Sequence, residues 1–382
     1  VRGTLQFDGA ARTRRGAGRV FQPQNLPSRG LLPPDEIELG IEAMKLDCEH
    51  LLVDDVMKLA VSAVRGVVIA PKGRKLVIAD LANIEGRDAA YLAGEDWKLQ
   101  AFRENDNGTG PDLYNLAYAK SFRIPHSEVT KPQRQIGKVQ EIFMQYEGGV
   151  GAFITGAATY GIDLDDMAEK AWPALPYDIV SEAEDYHNWL VKKNRSTYGL
   201  PAKTFIVCDS LKRAWRLQHG HIVATWRGLE DTAVEATRHP GKTLEFGCFK
   251  FRRDGQWLRI QMPSGRALCY PSPQIDDSGK LTYMGQNQYT RQWCRLRTYG
   301  GKLFENVCQS FARDLLFDSM PVLEKEGYAI VLHVHDEVVL EVPDTDEFTL
   351  DRVCGILSSP PNYATELPMA AAGFETYRYR KE

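Results

Sequence analysis

An α+β fold, an antiparallel sheet together with a largely helical region, is what this sequence predicts. Three observations carry that expectation. An apolar run near the C-terminus is broken by His333-Val334-His335-Asp336-Glu337, with Tyr328-Ala-Ile-Val-Leu leading in and Val338-Val-Leu-Glu-Val leading out. That pattern reads as a tight β-hairpin with two adjacent carboxylates at its tip. Far upstream, Lys75-Leu-Val-Ile-Ala-Asp80 reads as a second strand that also ends on a carboxylate. Between them, most of 95–235 carries helical rather than strand periodicity.

The elements follow in order. Residues 1–35 are rich in Gly, Arg and Pro: Ala11 to Arg19 reads as a basic loop, and Gln22-Pro-Gln-Asn-Leu-Pro27 as a turn-rich segment. Helical patterning runs from about 36 to 64, the strand occupies 75–80, and helix resumes after Ile84. A Gly/Asn loop at 104–111 precedes a helix over 112–122. Thr130-Lys-Pro-Gln133 is a helix start, with Thr as cap, Pro in the first turn and Gln where a capping box places it. That helix is expected to reach about Tyr146 and stop before Gly148-Gly149. Residues 160–235 are mostly helical, 243–285 switch to β patterning, and 303–320 are helical again before the acidic hairpin. The tail contains Ala370-Ala-Ala-Gly-Phe-Glu-Thr, and no internal repeat or low-complexity tract is visible.

Composition narrows the function classes. At 382 residues the chain can build a large core and more than one subdomain. A formal net charge of −4 excludes a uniformly basic nucleic-acid binder but not a local basic groove. Seven cysteines, an odd number without a Cys-x-x-Cys pair, point to buried free thiols and to no zinc ribbon. No apolar stretch approaches the roughly 18–20 residues of a membrane span. The start, Val1-Arg-Gly-Thr, lacks both Met and a signal peptide and reads as the interior of a longer chain.

The chemistry-bearing residues are ambiguous one at a time. Asp80 at a strand end either meets a ligand or caps the following helix. Asp336 and Glu337 sit in a turn where Asp is common. His333 and His335 admit another reading, a His-x-His hydrolase binding zinc or iron, with only His219, His221 and His239 available as further imidazole ligands. On the helix from Lys131, Arg134 and Lys138 adjoin on one face, Ile142 continues the stripe and Tyr146 lies further round. Twelve residues of helix rise about 18 Å, enough to reach from a triphosphate to a base. A solvated basic face is the plain alternative. Tyr114, Gln309 and the Arg19 with Gln24-Asn25 segment draw no notice alone.

In order, these segments resemble the family A DNA polymerases, particularly the bacteriophage type, from Gly18 to the tail. Gly18-Arg19 with Gln24-Asn25-Leu-Pro27 is similar to the family's Gly-Arg … Gln-Asn-Ile-Pro segment. Asp80-Leu-Ala-Asn-Ile-Glu85-Gly-Arg87 resembles motif A, and Asp112-Leu-Tyr114 resembles Asp-Ile-His. Arg134-x3-Lys138-x7-Tyr146-x-Gly148 resembles motif B. Glu305-Asn306-x2-Gln309 through Asp314 resembles the Asn-x3-Gln … Asp helix, and Val334-His335-Asp336-Glu337 resembles motif C. There are departures: Leu-Ala-Asn for Tyr-Ser-Gln in motif A, Ile142 for Phe or Tyr at the sugar-facing position, Tyr114 for His, Glu305 for Asn, and a longer stretch between motifs B and C.

The resemblance implies a right-hand polymerase: an antiparallel palm, helical fingers, and a thumb largely absent because it precedes Gly18 in this family. The implied segments are 1–94 with motif A, 95–235 as fingers with motif B, 236–300 as a β-rich insertion and palm connection, and 301–382 as palm with motif C and tail. It implies DNA synthesis from dNTPs on a primer-template, with two Mg2+ ions, or Mn2+ in their place, held by Asp80, Asp336 and the Leu81 carbonyl. Glu337 supports that centre. Arg134, Lys138 and Tyr114 would bind phosphates, with Lys138 also donating a proton to pyrophosphate. Glu85 would gate the sugar, Ile142 face it, and Tyr146 stack near the templating base. Arg19, Gln24, Asn25, Gln309 and His335 would contact DNA. A monomer without membrane attachment, working with replisome accessory proteins in the cytoplasm of a bacterial host, completes the expectation. A single-subunit RNA polymerase is the near rival, and Glu85 argues against it.

Overall fold

The computed structural model describes residues 3, 5–27, 31–287 and 289–380. Contacts divide the chain into two compact units, each discontinuous in sequence. One comprises Val1–Ile84, Ala312–Thr365 and Met369–Glu382; the other comprises Glu85–Phe311 and Glu366–Pro368.

The first unit is built on a four-stranded antiparallel sheet. Its order is Ala329–Val334, Glu337–Pro343, Arg74–Leu81, Ala371–Thr376. The two central strands are the predicted hairpin arm and the predicted upstream strand. Their apolar runs are buried without alternation: Leu76, Val77, Ile78 and Ala79 on one, and Val338, Val339 and Leu340 on the other. Such runs mark strands covered on both faces. The fourth strand was not expected. Ala371, Ala372 and Gly373 carry no strand signal, but a Cβ at Gly373 would lie 1.9 Å from the Ile78 carbonyl oxygen, so close approach selects glycine there. The helical stretch expected over 36–64 is broken. Pro34–Lys45 ends near Asp47, whose φ is 53°, and Val56–Ala63 starts anew under an Asp55 cap. Helix Leu350–Leu357 packs against the central strand Arg74–Leu81 and the edge strand Ala371–Thr376.

The second unit is mainly helical, from Asp96–Asp106 through Gly220–Arg238. Helix Lys131–Met144 begins as predicted: Gln133 Oε1 accepts from the Thr130 N–H at 2.8 Å. The β region runs to 297 and forms two sheets. One joins Thr243–Phe246, Phe249–Asp254, Trp257–Gln261 and Ala267–Pro271 in sequence order; the other orders Trp293–Arg297, Leu281–Gln286 and Gln274–Ile275. All seven cysteines are free, but only Cys208 and Cys308 are buried, and Cys248 is exposed. No helix among the described residues is long and apolar enough to cross a membrane.

Candidate active site

In the sheet unit, pairing of Val334 with Glu337 leaves His335-Asp336 as a two-residue turn. Such turns need positive φ to match the twist of their strands. His335 supplies it at 58°, a left-handed conformation that a non-glycine side chain adopts only under constraint. Register then sets the carboxylates. Glu337 lies directly opposite Asp80, and the Leu81 N–H donates to the Asp336 carbonyl at 3.1 Å. Asp80 and Asp336, 256 positions apart by number, therefore stand at the same end of neighbouring strands. Both are half-buried.

Glu337 has a different environment. It is 4% exposed, and its Oε1 accepts from the Tyr379 hydroxyl at 2.6 Å. Tyr379 in turn accepts from Arg65 Nη1 at 2.8 Å. Burial, then the Glu337 carboxylate, push the Tyr379 phenol well above its ordinary range. Arg65 also donates to the Leu26 and Pro27 carbonyls, each at 3.1 Å. The same loop touches the hairpin: His335 Nε2 donates to the Gln24 carbonyl at 3.1 Å, and Gln24 Nε2 donates to the His333 carbonyl at 3.4 Å. Asn25 is exposed and donates to Gln22 at 2.6 Å; Arg19 is exposed.

His333 is a core residue. Its ring meets Phe317 edge-on, a Cβ at Gly16 would collide with it, and burial with Arg313 nearby lowers its pKa. Among the described residues, no three or more His, Cys, Asp or Glu side chains gather as a metal cluster, so the His-x-His hydrolase lacks a ligand set. Asp80, Asp336 and the Leu81 carbonyl are a smaller set of hard oxygen donors. By donor chemistry they fit Mg2+ or Mn2+, whose other positions water and phosphate can fill.

In the helical unit, the predicted phosphate residues come together. Arg134 lies 5.0 Å and Lys138 5.9 Å from the Tyr114 ring centre, and Lys138 also lies 5.7 Å from Tyr160. Arg134 makes a two-pronged pair with Asp112 at 3.0 and 2.9 Å, while Asp112 also caps the Tyr114 helix. Gly137 makes the close packing of these helices feasible, because a Cβ there would sit 2.1 Å from the Tyr114 carbonyl oxygen. Further along, the Tyr146 hydroxyl donates to Glu85 Oε2 at 2.9 Å. Burial, then Glu85, hold that phenol well above its usual range. Ile142 is half-buried on the same helix.

Behind this helix lies a buried cluster that sequence reasoning missed. Glu141 pairs with Lys98, accepts from Trp215 Nε1 at 2.8 Å, and lies 3.4 Å from His219 Nε2. Burial would raise the Glu141 carboxyl, but Lys98 and His219 outweigh it and hold it well below the ordinary range. Asn306 is buried and donates to Tyr270 at 3.0 Å, Glu305 pairs with Lys302, and Gln309 is half-buried. None of the partners Tyr379, Arg65, Asp112 or Lys98 is signalled locally; each lies at least 22 positions from the residue it holds.

No protein-family model matches the chain. It is 35% identical over 392 aligned residues to a protein named DNA polymerase from Bacillus phage SP02, an alignment that takes in 100% of this chain and 53% of the phage protein. It is 34% identical over 90 residues to DNA polymerase I of Pseudomonas aeruginosa, 24% of this chain and 9% of that protein. Among solved structures, the POL domain of Pol1 from M. smegmatis, in complex with DNA primer-template and dNTP, matches at a TM-score of 0.53 and 17% identity. That match covers 97% of this chain and 46% of the other, and at this identity it speaks to fold. The chain spans about half the length of the phage relative.

Proposed function

We propose, for a chain that belongs to the family A, DNA polymerase I-like polymerases, that it carries out template-directed DNA synthesis in phage replication. The observation that carries this reading is the register bringing Asp80 and Asp336 to one end of neighbouring strands. Asp80, Asp336 and the Leu81 carbonyl would hold two Mg2+ ions, or Mn2+, which make the primer 3′-hydroxyl a better nucleophile and neutralise charge on the departing pyrophosphate.

The remaining work falls to positioning and charge. Arg134 exchanges Asp112 for triphosphate oxygens, since a guanidinium fork suits either partner. Lys138 binds the same phosphates and gives a proton to the leaving pyrophosphate, and Tyr114 donates its hydroxyl to them. Glu85, anchored by Tyr146, crowds the 2′ position and favours deoxy over ribo sugars, which weighs against an RNA polymerase. Ile142 faces the sugar. Glu337, held by Tyr379, keeps the hairpin in place. Gln24 and His335, joined by their hydrogen bond, with Arg19, Asn25 and Gln309, are proposed DNA contacts. The enzyme would act as a monomer in the bacterial cytoplasm, alongside replisome accessory proteins.

The test is primer extension with Asp80→Ala and Asp336→Ala. Each is expected to lose extension by about 10^3-fold, the scale of removing a transition-state electrostatic group. Near-normal turnover by either variant would overturn the reading.

A further inference from the structure

The β region at 243–297 has no role in the mechanism, and it is charged unlike the rest of the chain. It holds nine Lys and Arg against four Asp and Glu, in a chain whose net charge is −4. Its four-stranded sheet alternates cleanly. Phe249, Phe251, Leu258, Ile260, Leu268 and Tyr270 are at most 1% exposed, on the face that packs toward helix Gly220–Arg238. The other face carries Lys250, Arg252, Trp257, Arg259 and Gln261 into solvent.

Two features of that face do little for the fold and suit a ligand. Arg252 and Arg259 are directly opposite one another, where like charges repel. A single carboxylate, Asp254, bonds both, at 2.7 and 3.0 Å, so the three groups hold two oriented guanidiniums and a net positive charge. Trp257, on the same strand as Arg259, is 44% exposed. The neighbouring sheet repeats the alternation: Trp293, Arg295 and Arg297 point into solvent on one strand, with Trp293 63% exposed and Arg297 paired with Asp276. The two faces adjoin. Pro271 lies opposite Trp257, and the next residue, Ser272, accepts from Arg295 Nη1 at 3.0 Å.

We propose that this Trp-x-Arg face is a second nucleic-acid surface that holds single-stranded DNA. Open tryptophan rings stack unpaired bases, which a duplex keeps stacked on one another, and flanking guanidiniums track the phosphates. An acidic peptide would meet the arginines but leave the two rings unused. The inference stands on exposure and charge within this region, not on the catalytic residues.

The experiment measures binding of a fluorescein-labelled oligothymidylate to the full chain by anisotropy, without Mg2+ or dNTP, with thermal melting as the folding control. The Trp257→Ala, Trp293→Ala double variant is expected to bind at least about tenfold more weakly, given the energy of base–aromatic stacking. The Arg252→Gln, Arg259→Gln variant is expected to flatten the slope of log affinity against log salt by about 1.4, the value for two phosphate contacts on a single strand. Crosslinks from a 5-bromodeoxyuridine oligonucleotide should map to 257 and 293. Unchanged affinity in both folded variants, or equal loss for duplex DNA, would sink the proposal. Primer extension by the unaltered chain, scored separately, reports on the catalytic reading alone.

Discussion

Two four-stranded antiparallel sheets in this chain present their polar residues in different places. In the palm sheet, both central strands are buried on both faces, from Leu76 to Ala79 and from Val338 to Leu340. A sheet covered on both sides can present polar groups only at its strand ends and turns, and that is where Asp80, His335 and Asp336 stand. In the 243–271 sheet, alternate residues of Phe249–Asp254 and Trp257–Gln261 face solvent, so the open face itself carries Arg252, Trp257 and Arg259. The difference teaches that burial pattern, more than strand number, decides whether a sheet offers polar groups at its ends or across a face.

The sharpest way to break that comparison is to ask whether a carboxylate can be hidden without a partner. Glu141, on helix Lys131–Met144, is buried and tied to Lys98. Lys98→Met removes the partner and is expected to cost about 3–5 kcal/mol of stability, measured by urea unfolding. Acid should act the same way. His219 has its pKa lowered by burial, so its contribution is present above the ordinary value of 6.5 and is lost as pH falls below it. Glu141, also lowered, contributes above 4.5 and loses that contribution as pH falls further. Melting temperature should therefore fall in two stages below pH 6.5, and Glu141→Gln should remove the lower one. An unchanged lower stage in that variant would mean the pair does not set acid stability.

A smaller effect is expected at the end of the palm sheet where Glu337 meets Tyr379. Tyr379→Phe removes one hydroxyl and leaves the buried Glu337 carboxylate short of a donor. The expected loss is about 1.5–3 kcal/mol, as for a hydrogen bond to a charged group. Urea midpoints for Tyr379→Phe and Arg65→Lys should move together, because Arg65 donates to the Tyr379 hydroxyl that in turn donates to Glu337. Independent shifts would show that the relay is not one unit.

Legibility in the sequence follows the same division. The acidic hairpin, the Arg74–Leu81 strand and the Thr130 cap were readable because each is set by neighbours within a few positions: period, turn and cap. The Arg134, Lys138 and Tyr114 grouping was readable as motif order, but the Arg134–Asp112 pair was not, since it depends on two helices packing through Gly137. Tyr379 meets Glu337 from 42 positions away and Arg65 from 314. The Ala371–Thr376 strand was hidden because its small residues serve the neighbouring backbone rather than a core. The helix break at Asp47 was hidden because the apolar period continues across it.

The smallest effect tests the open face. Arg252→Gln with Arg259→Gln should change stability by no more than about 0.5 kcal/mol, because both side chains are close to half exposed and neither supports the buried side. Relief of the Arg252–Arg259 repulsion favours the variant, while loss of the two Asp254 bonds opposes it, so the terms offset. A urea midpoint shift well beyond that bound, in either direction, would show that the face is held for the fold. A midpoint that stays put while single-strand affinity falls would show that these two charges are kept for what they bind.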